Sequence, residues 1–158
     1  MNEMKFIRCL TTGLVCIATN AFAGGSNDHS HGEYAIGEPG TKNISRVVNV
    51  RMYEEDGKMF YRPGTLKFKK GQTVKIRLSN QGELEHEFVM DTSQKNVEHK
   101  VLMEKFPEME HDDPNALRLT SKDNGAIFWK FTKRGEFEYA CLIPGHYEAG
   151  MRGKILVE

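Results

Sequence analysis

The chain has 158 residues, with 22 Lys+Arg balanced by 22 Asp+Glu and a formal net charge of zero. That length suits one domain around one modest core, and the even charge excludes the basic face that nucleic-acid binding requires. No run reaches the about 18 apolar residues of a membrane-spanning helix, so no membrane span is expected in the mature chain.

The first 23 residues have the layout of a secretory signal peptide. Lys5 and Arg8 form a basic start, Cys9 to Ala18 is apolar, and Ala21-Phe22-Ala23 is a small-x-small cleavage site. Cleavage after Ala23 predicts a periplasmic protein that begins at Gly24. Of the three cysteines, Cys9 and Cys16 leave with the signal, and Cys141 then stands alone in an oxidising compartment. A single cysteine there cannot form an intramolecular disulfide, which leaves intermolecular pairing, burial, catalysis or metal binding.

Residues 24–41 are rich in Gly, Ser and His and read as a flexible leader. Its His29 and His31 suit capture of a metal ion, and an unstructured polar tail has the same composition. From residue 42 to 158 the pattern is that of a folded domain. Val48, Val50 and Met52 share one parity of a strand. Met59 to Tyr61, Leu66 with Phe68, and Val74 with Ile76 and Leu78 continue the period-2 alternation between Gly-marked turns. His86 to Met90 predicts another strand, and Gln94 to Phe106 a short helix with His99, Leu102, Met103 and Phe106 on one face. Strand patterns return at Ala116 to Thr120, Ala126 to Phe131, Glu136 to Cys141 and Gly153 to Val157. Many short strands with one helical insertion around residues 94–106 predict an all-β, Greek-key sandwich or barrel.

The chemistry concentrates in Cys141-Leu142-Ile143-Pro144-Gly145-His146-Tyr147-Glu148-Ala149-Gly150-Met151, which places a thiolate, an imidazole and a thioether at C-x4-H-x4-M spacing. A thiolate bonds copper strongly, imidazole suits both copper oxidation states, and a thioether fits a long axial position. A second imidazole completes the set, and His86 at the start of a strand is the candidate, with His99 and His111 as competitors. The predicted metal ligands of one mononuclear type 1 copper site are therefore His86, Cys141, His146 and Met151. Pro144 and Gly145 bend the loop so that His146 returns to the same metal, and Gly150 permits the tight path to Met151. A Cys-His catalytic dyad needs an orienting group and an oxyanion hole that nothing in the sequence marks, and no catalytic residue is assigned. Zinc favours additional thiolates or a three-histidine set.

Residues Glu138 to Val157 closely resemble the cupredoxin family, with Cys-to-His and Cys-to-Met spacings similar to those of rusticyanin-type proteins. Gly135 to Tyr139, Asn80 and His86 fit the same pattern. The His-bearing leader, His86-Glu87-Phe88 and Met109 to Pro114 resemble the periplasmic copper-resistance cupredoxins of the CopI type. The resemblance implies an eight-stranded Greek-key sandwich with copper at one end. Its partners would be copper ions and a periplasmic redox or copper-handling protein. Met90, His99, Met103, Met109 and His111 form a second candidate copper(I) site, or equally a helix face and a solvated loop. The ligand set alone does not separate a copper-tolerance protein from an electron carrier. The extra Met and His residues favour copper handling, either binding or oxidation, and four protein ligands leave no open position for an enzyme substrate.

Overall fold

The computed structural model describes residues 34–107 and 113–158, so the signal segment, His29, His31, Met109 and His111 lie outside the described residues. The alternating segments form strands in chain order: β1 (Glu38–Pro39), β2 (Arg46–Glu55), β3 (Lys58–Arg62), β4 (Thr65–Phe68), β5 (Thr73–Asn80) and β6 (His86–Asp91). After helix α1 (Ser93–Lys105) come β7 (Ala116–Leu119), β8 (Asn124–Lys130), β9 (Gly135–Ala140) and β10 (Arg152–Val157). One five-stranded sheet runs β1-β8-β5-β2-β3 and the other β4-β10-β9-β6-β7. Consecutive strands such as β3 and β4 lie in different sheets, which makes the predicted sandwich. The resemblance implied eight strands. Ten form among the described residues, with the short β1 and β7 at sheet edges.

Alternation decides what fills the space between the sheets. Val48, Val50 and Met52 of β2 point inward with Val74, Ile76 and Leu78 of β5, and meet Phe88, Met90, Phe137 and Tyr139 from the other sheet. Trp129, Tyr139 and Phe88 are the largest fully buried side chains. Burial of each contributes on the order of 2–3 kcal/mol. Residues 34 to 39, assigned to the leader by composition, belong to the sandwich. Ile36 is fully buried, Tyr34 packs edge-on against Trp129, and Glu38 and Pro39 pair with Lys130 and Trp129. A short polar stretch with one isoleucine carries too little periodicity to reveal this.

The helix forms where its spacing placed it, capped by the Thr92 hydroxyl, which accepts from the Lys95 N–H at 3.2 Å. Its buried face matches the expected one only in part, at Met103. Asn96 and Met103 are buried, whereas Leu102 and Phe106 are 48% and 58% exposed. Met103 packs with Val89, Ala140 and Leu142 on the outer face of the second sheet, and the Asn96 amide donates to Glu138. Packing on β6 and β9 thus rotates the helix away from its most apolar stripe. Among the described residues no helix is long and apolar enough to cross a membrane.

Candidate metal centre

The site stands at one end of the sandwich because two neighbouring strands begin and end there. β6 starts at His86 and β9 ends one residue before Cys141, and the two strands pair antiparallel through Val89 with Ala140 and Met90 with Tyr139. The loop before β6 is pinned by Asn80, which is fully buried. Its amide donates to the Leu84, Leu119 and Thr120 carbonyls at 2.7, 3.2 and 3.1 Å, and its oxygen accepts from the Gly82 N–H at 2.9 Å. The loop after β9 is wound on itself. The His146 N–H donates to Ile143 O, Ala149 N–H to Gly145 O and Met151 N–H to His146 O, while the Cys141 N–H donates to Met151 O at 3.0 Å. Gly145 and Gly150 take positive φ of 87° and 103°, where a Cβ would be strained.

Folding brings three of the predicted ligands together. The Cys141 sulfur lies 3.4 Å from His146 Nδ1, which lies 3.3 Å from His86 Nδ1. All three donor atoms fall within 4.8 Å of one another, the one such group of His, Cys, Asp and Glu among the described residues. A first-row metal with bonds of about 2.0–2.3 Å at the centre of a trigonal set holds its donors roughly 3.6 Å apart. The observed spacing therefore fits one ion, and the thiolate–bis-imidazole chemistry fits copper. Met151 is fully buried, and its backbone ties Cys141 to His146.

The electrostatics prepare these groups to bind metal. Burial pushes the Cys141 thiol up to about 12, so at neutral pH it holds a proton that a metal must displace. Burial lowers the His86 and His146 pKa values, repulsion from a protonated His86 would lower that of His146 further, and both imidazoles stay neutral with lone pairs to donate. The Glu87 N–H donates to the Cys141 sulfur at 3.3 Å and stabilises a thiolate there. The Tyr61 hydroxyl holds the Glu87 carbonyl at 2.5 Å, and the Tyr61 ring packs edge-on against Phe88 and Tyr139. The cysteine thus emerges from a rigid aromatic floor.

Of the second candidate site, Met90 and Met103 among the described residues lie apart, and Met109 and His111 fall outside those residues. Met90 lies in the core between the sheets, while Met103 lies under the helix on the opposite face of the same sheet. Strand alternation separates them, since Met90 and Val89 must point to opposite faces. His99 lines a cleft of about 250 Å³ with Tyr34, Asp91, Asp113 and Asn115. Sequence reasoning missed Glu54, whose carboxylate contacts His86 Nε2 at 2.6 Å. Its signal was its parity, because it follows Val48, Val50 and Met52 on the inward face of β2.

Comparison with known proteins agrees with this geometry. Residues 48–158 match the copper binding proteins of the plastocyanin/azurin family, and the chain belongs to that family of cupredoxins. It is similar to the copper-resistant cuproprotein CopI of Rubrivivax gelatinosus, at 40% identity over 95% of this chain and 98% of the relative. The same-named protein of Pseudomonas aeruginosa is 29% identical over 96% of this chain and 97% of its own length. Among solved structures, auracyanin B superposes with a TM-score of 0.64 at 21% identity, over 79% of this chain and 96% of that one. At that identity the likeness speaks for the fold.

Proposed function

We propose that the protein is a periplasmic copper-tolerance protein that binds one copper ion at a type 1 site made by His86, Cys141, His146 and Met151. The observation that carries this reading is the convergence of the Cys141 sulfur with the Nδ1 atoms of His86 and His146. The near full-length similarity to proteins named as copper-resistant cuproproteins supports the role in tolerance. Bound copper would supply a one-electron couple between its +1 and +2 states. This chain's own part is to offer two neutral imidazoles, to release the thiol proton, and to exclude water, since His86, Cys141 and Met151 are fully buried. Four protein donors leave no position for a substrate, so the protein binds copper rather than turning over a reagent.

In this reading residues 1–23 are a cleaved signal peptide, residues 24–41 carry His29 and His31 for copper capture, and 42–158 is the cupredoxin domain with the preceding Tyr34 to Pro39 docked on it. Met90, His99, Met103, Met109 and His111 remain candidates for copper(I) binding in smaller groups than five. A second role, as a shuttle of single electrons to a periplasmic partner, is favoured by the ligand loop. Backbone bonds fasten it at Cys141, His146 and Met151, which limits rearrangement when the charge of the metal changes.

Copper-loaded protein should hold one copper per chain at the main site and absorb intensely in the visible through a thiolate-to-copper transition, and Cys141→Ser should abolish that band. A band that survives the substitution refutes Cys141 as a ligand. Deletion of the gene should make cells copper-sensitive. Normal tolerance with slowed electron flow would decide for the shuttle.

A further inference from the structure

The inner face of β2 carries Val48, Val50 and Met52 and then, in the same register, a carboxylate at Glu54. A charge on that face loses hydration and persists only where hydrogen-bond donors replace the water. Three donors do so here. Glu54 Oε1 accepts from the Leu84 N–H at 3.0 Å and contacts His86 Nε2 at 2.6 Å, while Oε2 accepts from the Glu83 N–H at 3.0 Å. The loop lies so close that a Cβ on Gly82 would sit 2.1 Å from Glu54 Oε1 and displace the carboxylate. The His86 side chain is fully buried and that of Glu54 is 21% exposed, so the contact is shielded from most solvent.

We infer that Glu54 is a positioning residue of the metal centre, one that fixes the tautomer of His86 and sets which copper oxidation state the site prefers. The inference rests on the copper site proposed above. An acceptor at Nε2 requires the ring to carry its proton there, so the Nδ1 lone pair is the one that faces His146 Nδ1 and the Cys141 sulfur. The carboxylate also makes the imidazole a stronger donor and adds negative charge beside the site, and both effects favour copper(II) over copper(I). Glu54 comes from the sheet opposite β6, so it anchors His86 across the end of the sandwich. Asn80 acts on the same loop through the Leu84 carbonyl and the Gly82 N–H.

The test is to measure copper(II) and copper(I) dissociation constants, by competition with chelators, for wild type, Glu54→Gln and Glu54→Ala. Thermal melts of each metal-free protein accompany them. Glu54→Gln should weaken copper(II) about 10- to 100-fold and copper(I) clearly less, so the reduction potential rises. Equal weakening of both states would mean a loop anchor only and overturns the inference. A second measurement needs no variant: nitrogen-15 NMR of the copper(I)-loaded wild type should show His86 protonated at Nε2 and metal-bound at Nδ1, and the reverse assignment overturns the inference. Wild type that lacks Cys141-dependent copper binding would overturn the copper site itself, and Glu54 with it. Normal copper binding in wild type with unaltered Glu54 variants overturns the Glu54 role alone.

Discussion

Asn80 offers the sharpest test of how the fold holds the site. The side chain is fully buried and makes four contacts, three from its amide hydrogens and one to its oxygen. Two hydrogens shared among three carbonyls, plus one acceptor, amount to about three hydrogen bonds. At about 1 kcal/mol each, Asn80→Ala should lose about 3 kcal/mol, and water reaching the partly exposed Leu84 and Thr120 carbonyls sets a lower bound of about 2 kcal/mol. For a folded region of this size that is a fall in Tm of roughly 10 °C. Asn80→Asp keeps the acceptor for Gly82 but points a carboxylate oxygen at three carbonyls, so at pH 7 it should be at least as destabilised as Asn80→Ala. The assay is denaturant unfolding of the metal-free protein, with a shifted midpoint at unchanged slope. Both variants should also bind copper more weakly, because the loop that Asn80 fastens leads directly into His86. A loss clearly below that lower bound of about 2 kcal/mol in Asn80→Ala would refute the hydrogen-bond reasoning.

Met151→Leu should keep copper bound but raise the reduction potential, measured by redox titration of the visible band, since a weak axial thioether tunes it. In Gly153→Ala the new methyl would meet the Tyr139 ring at 2.3 Å and the Gly64 carbonyl at 2.8 Å. Overpacking of that kind should cost about 1–3 kcal/mol in chemical denaturation. The pH dependence of the metal-free protein follows from His146, whose pKa burial lowers in the folded state. Its stabilising contribution is complete above the unfolded value of about 6.5 and is lost as the pH falls from there through the lowered folded value. Wild type should therefore lose more Tm than His146→Gln between pH 7 and 5, and parallel melting curves would contradict the sign.

The strands and the ligand loop were legible because both are local. Period-2 alternation in Val48, Val50 and Met52, or in Val74, Ile76 and Leu78, states which face is buried. The C-x4-H-x4-M spacing keeps three donors within one loop, and the position of His86 at a strand start followed from the turn before it. Alternation does not state which strand lies alongside. The parallel pairing of β4 with β10, residues Thr65 to Phe68 against Lys154 to Val157, is a long-range choice made by the whole core. The same holds for Tyr34 to Pro39, which dock only because β8 offers an edge, and for the helix, whose Asn96 and Met103 are buried because the sheet beneath it accepts them. Sequence placed Met90 and Met103 in one candidate cluster, and the pleat of β6 put them on opposite faces. Glu54 is the clearest case: its parity marked it as inward-facing, but only the tertiary fold brings donors from the 83–86 loop to within 2.6–3.0 Å of its carboxylate. Residue types and local spacing thus determined which chemistry the chain can perform. The packing of two sheets decided where the groups meet, because a contact between distant segments depends on all the strands that lie between them.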